Sequence, residues 1–399
     1  MMTHVNLSLI GILLAVITIS FSMIFKLNIG LSLILGSIVL GLFSLSLLDL
    51  LQTILDASIS PSTLEMIMTI ISITFLNVTY QRTGKAQELA ENLGKMIPSK
   101  ILVAIIPAMF GILPVTGGAL FSAPLVDSEG DKIGIGKVRK VFLNMWFRHI
   151  PHLVYPLETA LIIASHLTGV RLSLIIAYQI PVFIVGLSFG YLMGLRDLKK
   201  QGALVIEWKY FRRFLLSFLP ILVTLALTAL LNVKLYIAVF MGTILLFFMT
   251  RSKEFAFVSS LKTLSNMALI GFGVMIFRQT SQASGVWDVV VNLVQANALW
   301  PPILLVSLPI LIGFTLGESS PSITVSLSML LTMYKLTPPE VCLIYTCMYF
   351  GHLISPLHLC FSVTSEYFKT ETWQAYKQLI PATIATLMVD IPLMILLAS

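Results

Sequence analysis

The chain has 399 residues, of which 57% are hydrophobic and 11% charged, whereas an ordinary soluble domain carries about 25% charged residues. So small a polar complement excludes a water-soluble globule and predicts an all-α, polytopic membrane protein. The formal net charge of +7 is spread along the chain without a dense Lys/Arg run, which argues against a nucleic-acid partner and leaves the surplus as a topology signal.

In chain order, Leu7 to Phe25 has no basic residue ahead of it and no small-residue cleavage site, so it reads as a retained span rather than a signal peptide. A bilayer core of about 30 Å takes about 20 helical residues, and further stretches of this kind run 27–48, 62–82, 138–166 and 171–195. A second set follows at 213–231, 234–250, 263–280, 339–366 and 375–398. Two more apolar segments, 101–126 and 301–333, are interrupted in the middle. The first breaks at Pro114-Val115-Thr116-Gly117-Gly118 and the second at Gly317-Glu318-Ser319-Ser320-Pro321, both sequences that stop a helix. Segments 49–60, 84–97 and 285–298 read as short interfacial helices. Cys342, Cys347 and Cys360 lack C-x-x-C spacing and read as small buried hydrophobes, so no disulfide, metal centre or cofactor is predicted.

The two halves match. Pro107 and Gly111 precede Pro309 and Gly313 by 202 residues, Gly84 precedes Gly285 by 201, and Phe147-Arg148-His149 precedes Phe350-Gly351-His352 by 203. A near-constant offset predicts an internal duplication. Repeat A covers 1–200, with scaffold spans over 7–82, an interrupted segment at 101–126, a proline-broken helix at 138–166 and a span at 171–195. Repeat B covers 201–399, with the corresponding parts at 213–280, 301–333, 339–366 and 375–398.

Charge then sets the topology, because cytoplasmic loops collect Lys and Arg. If both interrupted segments are re-entrant hairpins, 20 of the 25 basic side chains fall on the cytoplasmic side, four lie outside and Arg148 alone stays in the membrane. If both segments span, the count becomes 10 inside and 14 outside, which is no bias. The hairpin reading gives about ten transmembrane helices plus two re-entrant hairpins, five spans per half. The repeats are then inverted and both termini lie outside.

The chemistry is expected where the two long segments break. Arg148-His149-Ile150-Pro151-His152 and His352-Leu353-Ile354-Ser355-Pro356-Leu357-His358 contain four of the six histidines of the chain, and ionisable residues in a span usually face a polar cavity. Any one of these histidines could equally be a satisfied core residue; the cluster at duplicated positions favours function. Arg148 supplies a permanent cation with a planar fork suited to carboxylate or phosphate. Thr116, Gly117 and Gly118 at one tip, with Ser319 and Ser320 at the other and Ser355 at the second break, offer amides and hydroxyls without bulk. Thr116 and Ser319 are candidate Na⁺ ligands, and Glu318 is the candidate for proton coupling unless it serves as a buried ion-pair partner. Glu158 and Asp390 lie nearer to span ends and read as hydrated structural residues.

With Leu113 to Asp127, Trp146 to Leu157 and Ile354 to Cys360 as carrying motifs, the chain resembles the prokaryotic membrane family described as domain of unknown function 401. That family is placed within an ion transporter superfamily of anion and arsenite carriers. The resemblance implies a multi-pass protein of the plasma membrane, a homodimeric scaffold surrounded by lipid, and an elevator in which hairpins and broken helices move together. Dicarboxylate carriers of that superfamily have Ser-Asn-Thr at their hairpin tips, where this chain has Thr-Gly-Gly and Glu-Ser-Ser.

The expected function is secondary active transport of a small anion, an organic carboxylate, coupled to Na⁺ or H⁺. No G-x-x-x-x-G-K-[ST] motif is present, which leaves no site for ATP-driven pumping by this chain. One alternative cargo is a transition-metal cation held by His149, His152, His352 and His358, against which the charge of Arg148 argues. An intramembrane hydrolase using Ser319 or Ser320 with His352 as base is a weaker alternative, because alternating access accounts better for a duplicated hairpin arrangement. No enzymatic activity is therefore expected.

Overall fold

A computed structural model describes residues 2–25, 27–112, 118–198, 207–231, 233–250, 257–285, 300–333 and 335–398. All the regular secondary structure in these residues is helical. The first half contains α1 (Met2–Ile24), α2 (Ile29–Ser44), α3 (Leu47–Ile59), α4 (Pro61–Arg82), α5 (Lys85–Gly94), α6 (Ser99–Ile112), α7 (Gly118–Lys132), α8 (Lys137–His149), α9 (Thr159–Thr168) and α10 (Leu172–Gly194). The second contains α11 (Trp208–Leu231), α12 (Leu235–Thr250), α13 (Phe257–Ala283), α14 (Trp300–Leu316), α15 (Ser319–Met333), α16 (Pro338–Leu353), α17 (Leu359–Tyr367) and α18 (Thr372–Ala398). Five helices, within α4, α10, α11, α13 and α18, are long and apolar enough to cross a membrane by length and composition.

Local chemistry sets the boundaries. Asn28 accepts hydrogen bonds from the amides of Gly30 (2.8 Å) and Leu31 (3.3 Å) to start α2, and Ser60 with Pro61 starts α4, as caps and first-turn prolines do. A Thr337/Glu340 capping box with Pro338 opens α16. Both α2 and α12 have 16 residues, about 24 Å at 1.5 Å per residue; α2 is shorter than the apolar run 27–48 suggested, while α12 fills the run 234–250.

From α6 onward the element starts repeat almost residue for residue: 99 and 300, 118 and 319, 137 and 338, 159 and 359, 172 and 372. The packing repeats too. Helix α6 packs on α7 and α8, as α14 does on α15 and α16, and α2 packs on α13 as α4 does on α12. Close approach there depends on small residues, as in membrane helices generally: a Cβ on Gly30 would lie 2.1 Å from Leu269 O.

The centre of the molecule is made by α8 and α16. Every residue from Lys140 to His149 and from Val341 to Leu353 is buried, whereas the periphery exposes Leu48, Leu230, Phe248, Met388 and Leu396. Polar and charged side chains inside, with large apolar ones outside, are the arrangement expected in lipid.

Candidate functional site

Two chain breaks meet at this centre. Helix α8 ends on Arg148 and His149, a 3₁₀ turn carries Ile150–Leu153, and the chain stays non-helical until Glu158 opens α9. Pro151 and Pro156 lie in this stretch and lack the N–H that a continuing helix needs. In the second half α16 ends at Leu353, Pro356 follows, and His358 opens α17. The breaks therefore fall slightly later than the histidine runs alone indicated.

All four break histidines come together. His149 and His358 have ring centroids 4.7 Å apart, His352 and His358 4.1 Å, His149 and His152 5.8 Å, and His149 and His352 6.3 Å. Tyr349 closes one side, 5.7 Å from the His352 ring and 6.1 Å from that of His152. Its hydroxyl donates to His149 O, and the Tyr345 hydroxyl donates to His152 O, both at 3.1 Å. The second broken helix thus stitches the first in place.

Each break also seats against the helix pair of its own half. His152 Nε2 lies 3.1 Å from Gly111 O and its Nδ1 2.8 Å from Glu158. Both neighbours are acceptors, so both bonds form only when both ring nitrogens carry hydrogen. In the second half Ser355 donates to Phe314 O at 2.6 Å and accepts from Leu357 N at 3.1 Å. The Ser355 hydroxyl is thereby committed to holding the turn against α14, a structural role where a ligand contact was expected.

Arg148 is treated differently. It is buried, its Nη1 has no hydrogen-bond partner, and it forms no ion pair among the described residues. Glu318, the partner considered from sequence, makes no ion pair among the described residues either; Glu158 and His152 act on it electrostatically instead. The thiol of Cys360 faces Arg148. His352 Nδ1 and His358 Nδ1 are likewise buried without partners among the described residues.

Ser319 and Ser320, both buried, form the first turn of α15. Pro321 belongs to that turn and does not break the chain; the break is Gly317, at φ +64°, with Glu318. A first-turn amide has no intrahelical partner, so proline is tolerated there. Gly118 opens α7, while Thr116 and Gly117 lie outside the described residues. Glu158, read from sequence as a hydrated structural residue, and Cys360, read as a small buried hydrophobe, lie in the site, as do Tyr345 and Tyr349, which the sequence did not single out. The available signal was Glu158 standing 200 residues before His358. Asp390 is not hydrated as its position suggested: it is 1% exposed within α18.

The chain contains one G-x-S-x-G pattern, Gly186-Leu187-Ser188-Phe189-Gly190. It lies inside α10, where the Ser188 hydroxyl donates to Ile184 O at 2.8 Å, and so lacks the strand-to-helix turn of a nucleophile elbow.

Fold and site together define a multi-pass, all-helical membrane protein with a polar centre. The chain belongs to the family described as protein of unknown function DUF401, whose model matches residues 6–396. In fold it is similar to MtrF of Neisseria gonorrhoeae, described as illuminating a class of antimetabolite efflux pumps, at TM-score 0.53 and 12% identity over 88% of this chain and 85% of that one. Comparison with curated proteins returns no significant sequence match.

Proposed function

We propose that the protein is a secondary active transporter of a small anion of the carboxylate class, working by alternating access. The observation that carries this reading is Arg148 Nη1, buried at the meeting point of two broken helices without a carboxylate partner among the described residues. Burying an uncompensated charge is costly, and a substrate carboxylate would supply the missing partner with bidentate geometry. Glu158 is taken up by His152 at 2.8 Å, and a guanidinium is always protonated, so Arg148 is the fixed positive charge of the site. The recurrence of helix pair, broken helix and span at offsets of about 200 residues supports two inverted repeats, 1–200 and 201–399, with 101–126 and 301–333 as re-entrant hairpins. Both termini would then lie outside the plasma membrane. Glu318 and Ser319, beside the second break, are the proposed coupling groups for H⁺ or Na⁺, and a homodimeric scaffold would carry the moving unit.

One observation favours a second reading. His149, His358 and Cys360 place three potential metal-ligand atoms within 4.8 Å of one another, a mixed imidazole–thiolate set suited to a transition-metal cation. A thermal-stability screen of purified protein separates the readings. A carboxylate should stabilise the wild type by about 2.7 kcal/mol at 100 times its Kd, and Arg148→Lys should lose that response without losing the fold. Failure of every small carboxylate to stabilise the wild type would count against the anion reading. A Co²⁺ thiolate absorption band that disappears in Cys360→Ser would favour the metal.

A further inference from the structure

A second buried carboxylate lies on another face of α16. Asp390 is 1% exposed, and neither carboxylate oxygen has a hydrogen-bond partner among the described residues. Packing gives no reason for a charge there. In α10 the glycines Gly186, Gly190 and Gly194 make room for Ile150, Trp146 and Leu143, the nearest side-chain atoms lying 2.6–2.8 Å from where a Cβ would be. The residues standing 200 later in α18 are Thr386, Asp390 and Met394, all buried. Thr386 settles its hydroxyl on Ala382 O at 2.8 Å, and Asp390 settles neither oxygen.

The polar groups around it form a closed set. Gln179 of α10, fully buried, donates to Cys342 O and to Thr346 Oγ1, both at 3.0 Å, while the Thr346 hydroxyl lies 3.1 Å from Gln179 Oε1. Thr346 is the side chain facing Asp390, and its one hydroxyl hydrogen is already directed at Gln179. An ionised Asp390 can only accept a hydrogen bond and would have to draw the Thr346 hydroxyl hydrogen away from Gln179 Oε1. A protonated Asp390 can donate to the Thr346 oxygen. Helix α18 packs on α8, α10, α16 and α17. From these elements, the titratable groups that feel Asp390 among the described residues are the Cys342 and Cys347 thiols of α16, and no Lys, Arg or His among those residues acts on its carboxylate.

We infer that Asp390, with Thr346 and Gln179, forms a proton-binding site at the junction of α10, α16 and α18, separate from the histidine cluster. Binding is a simple protonation of the carboxylate, with the acid O–H donated to Thr346 Oγ1. Any part in coupling rests on the transporter reading; the protonation itself does not.

Infrared spectroscopy of the lipid-reconstituted protein tests it, alongside labelling with dicyclohexylcarbodiimide, which attacks protonated buried carboxyls. The expected result is a carboxylic-acid C=O band at pH 7 that is lost in Asp390→Asn and kept in Glu318→Gln. Carbodiimide adducts should map to the Asp390 peptide and decline as the pH is raised. A wild-type spectrum lacking that band, or one unchanged by Asp390→Asn, overturns the proposal. So does labelling blocked by Na⁺ at fixed pH, which would make the site a sodium site. Should Asp390→Asn fail to fold, the wild-type pH titration of band and label decides alone. These readouts need no transported substrate, so failure here and failure of the anion reading are distinguishable.

Discussion

Arg148 and His152 lie at the same break, yet their side chains are handled in opposite ways. His152 is held between Gly111 O and Glu158, whereas Arg148 leaves a guanidinium nitrogen without a partner. A protein that needed only to lock the break would pair both. If the His152–Glu158 contact acts as a unit, Glu158→Gln and His152→Gln should each lower the Tm, and the double substitution should cost little more than the worse single one. A double-mutant cycle on thermal unfolding should return a coupling of about 0.5–3 kcal/mol, the range for residues in contact; additive effects would show that the pair is incidental. Arg148 and the four break histidines are legible in sequence because ionisable residues inside a span are rare and costly. Glu158 is harder to read, since its partner is set by the path of the chain through the 3₁₀ turn. Cys360 is hidden by its apolar neighbours, and the two tyrosines by being ordinary residues of a buried helix until α16 is placed against α8.

At the scale of elements, the breaks are positioned by backbone contact as much as by side chains. A Cβ on Gly111 would lie 2.1 Å from Arg148 O, and one on Gly313 2.1 Å from Met348 O, so the first leg of each helix pair rests directly on the last turns before the break. Gly111→Ala and Gly313→Ala should therefore each destabilise by about 1–3 kcal/mol, the usual cost of overpacking. Gly111→Ala should also weaken anion stabilisation by displacing Arg148. The control is Gly94→Ala, whose Cβ meets only Leu102 at 3.8 Å, and thermal unfolding of the three variants makes the comparison. Lys140 fixes the other end of the first pair, its Nζ 2.5 Å from both Asp127 and Asp131. Helix-breaking sequence marks both interrupted segments, but proline is ambiguous: Pro321 enters the first turn of α15 because no intrahelical hydrogen bond is required there. Apolar run length misleads for α2, because hydropathy continues into the flanking turns after the helix has ended, whereas α12 matches its run to within one residue.

For the molecule as a whole, a repeated order of elements brings two broken helices face to face, so that residues about 200 positions apart share one site. That offset is visible in the sequence through Pro107, Gly111, Pro309 and Gly313. The orientation of each half in the membrane is carried only by the distribution of basic residues, which is a statistical signal and not a contact. Family membership and the likeness to MtrF define the fold, and the substrate is left to the chemistry at Arg148. The most direct measurement is flux of labelled mono- and dicarboxylates into proteoliposomes under imposed Na⁺ and H⁺ gradients, comparing wild type with Arg148→Lys. Gradient-dependent flux of at least one carboxylate, lost or reduced at least tenfold in Arg148→Lys, about 1.4 kcal/mol, is the predicted result. Absence of flux across the whole panel, or equal flux in Arg148→Lys, would contradict it.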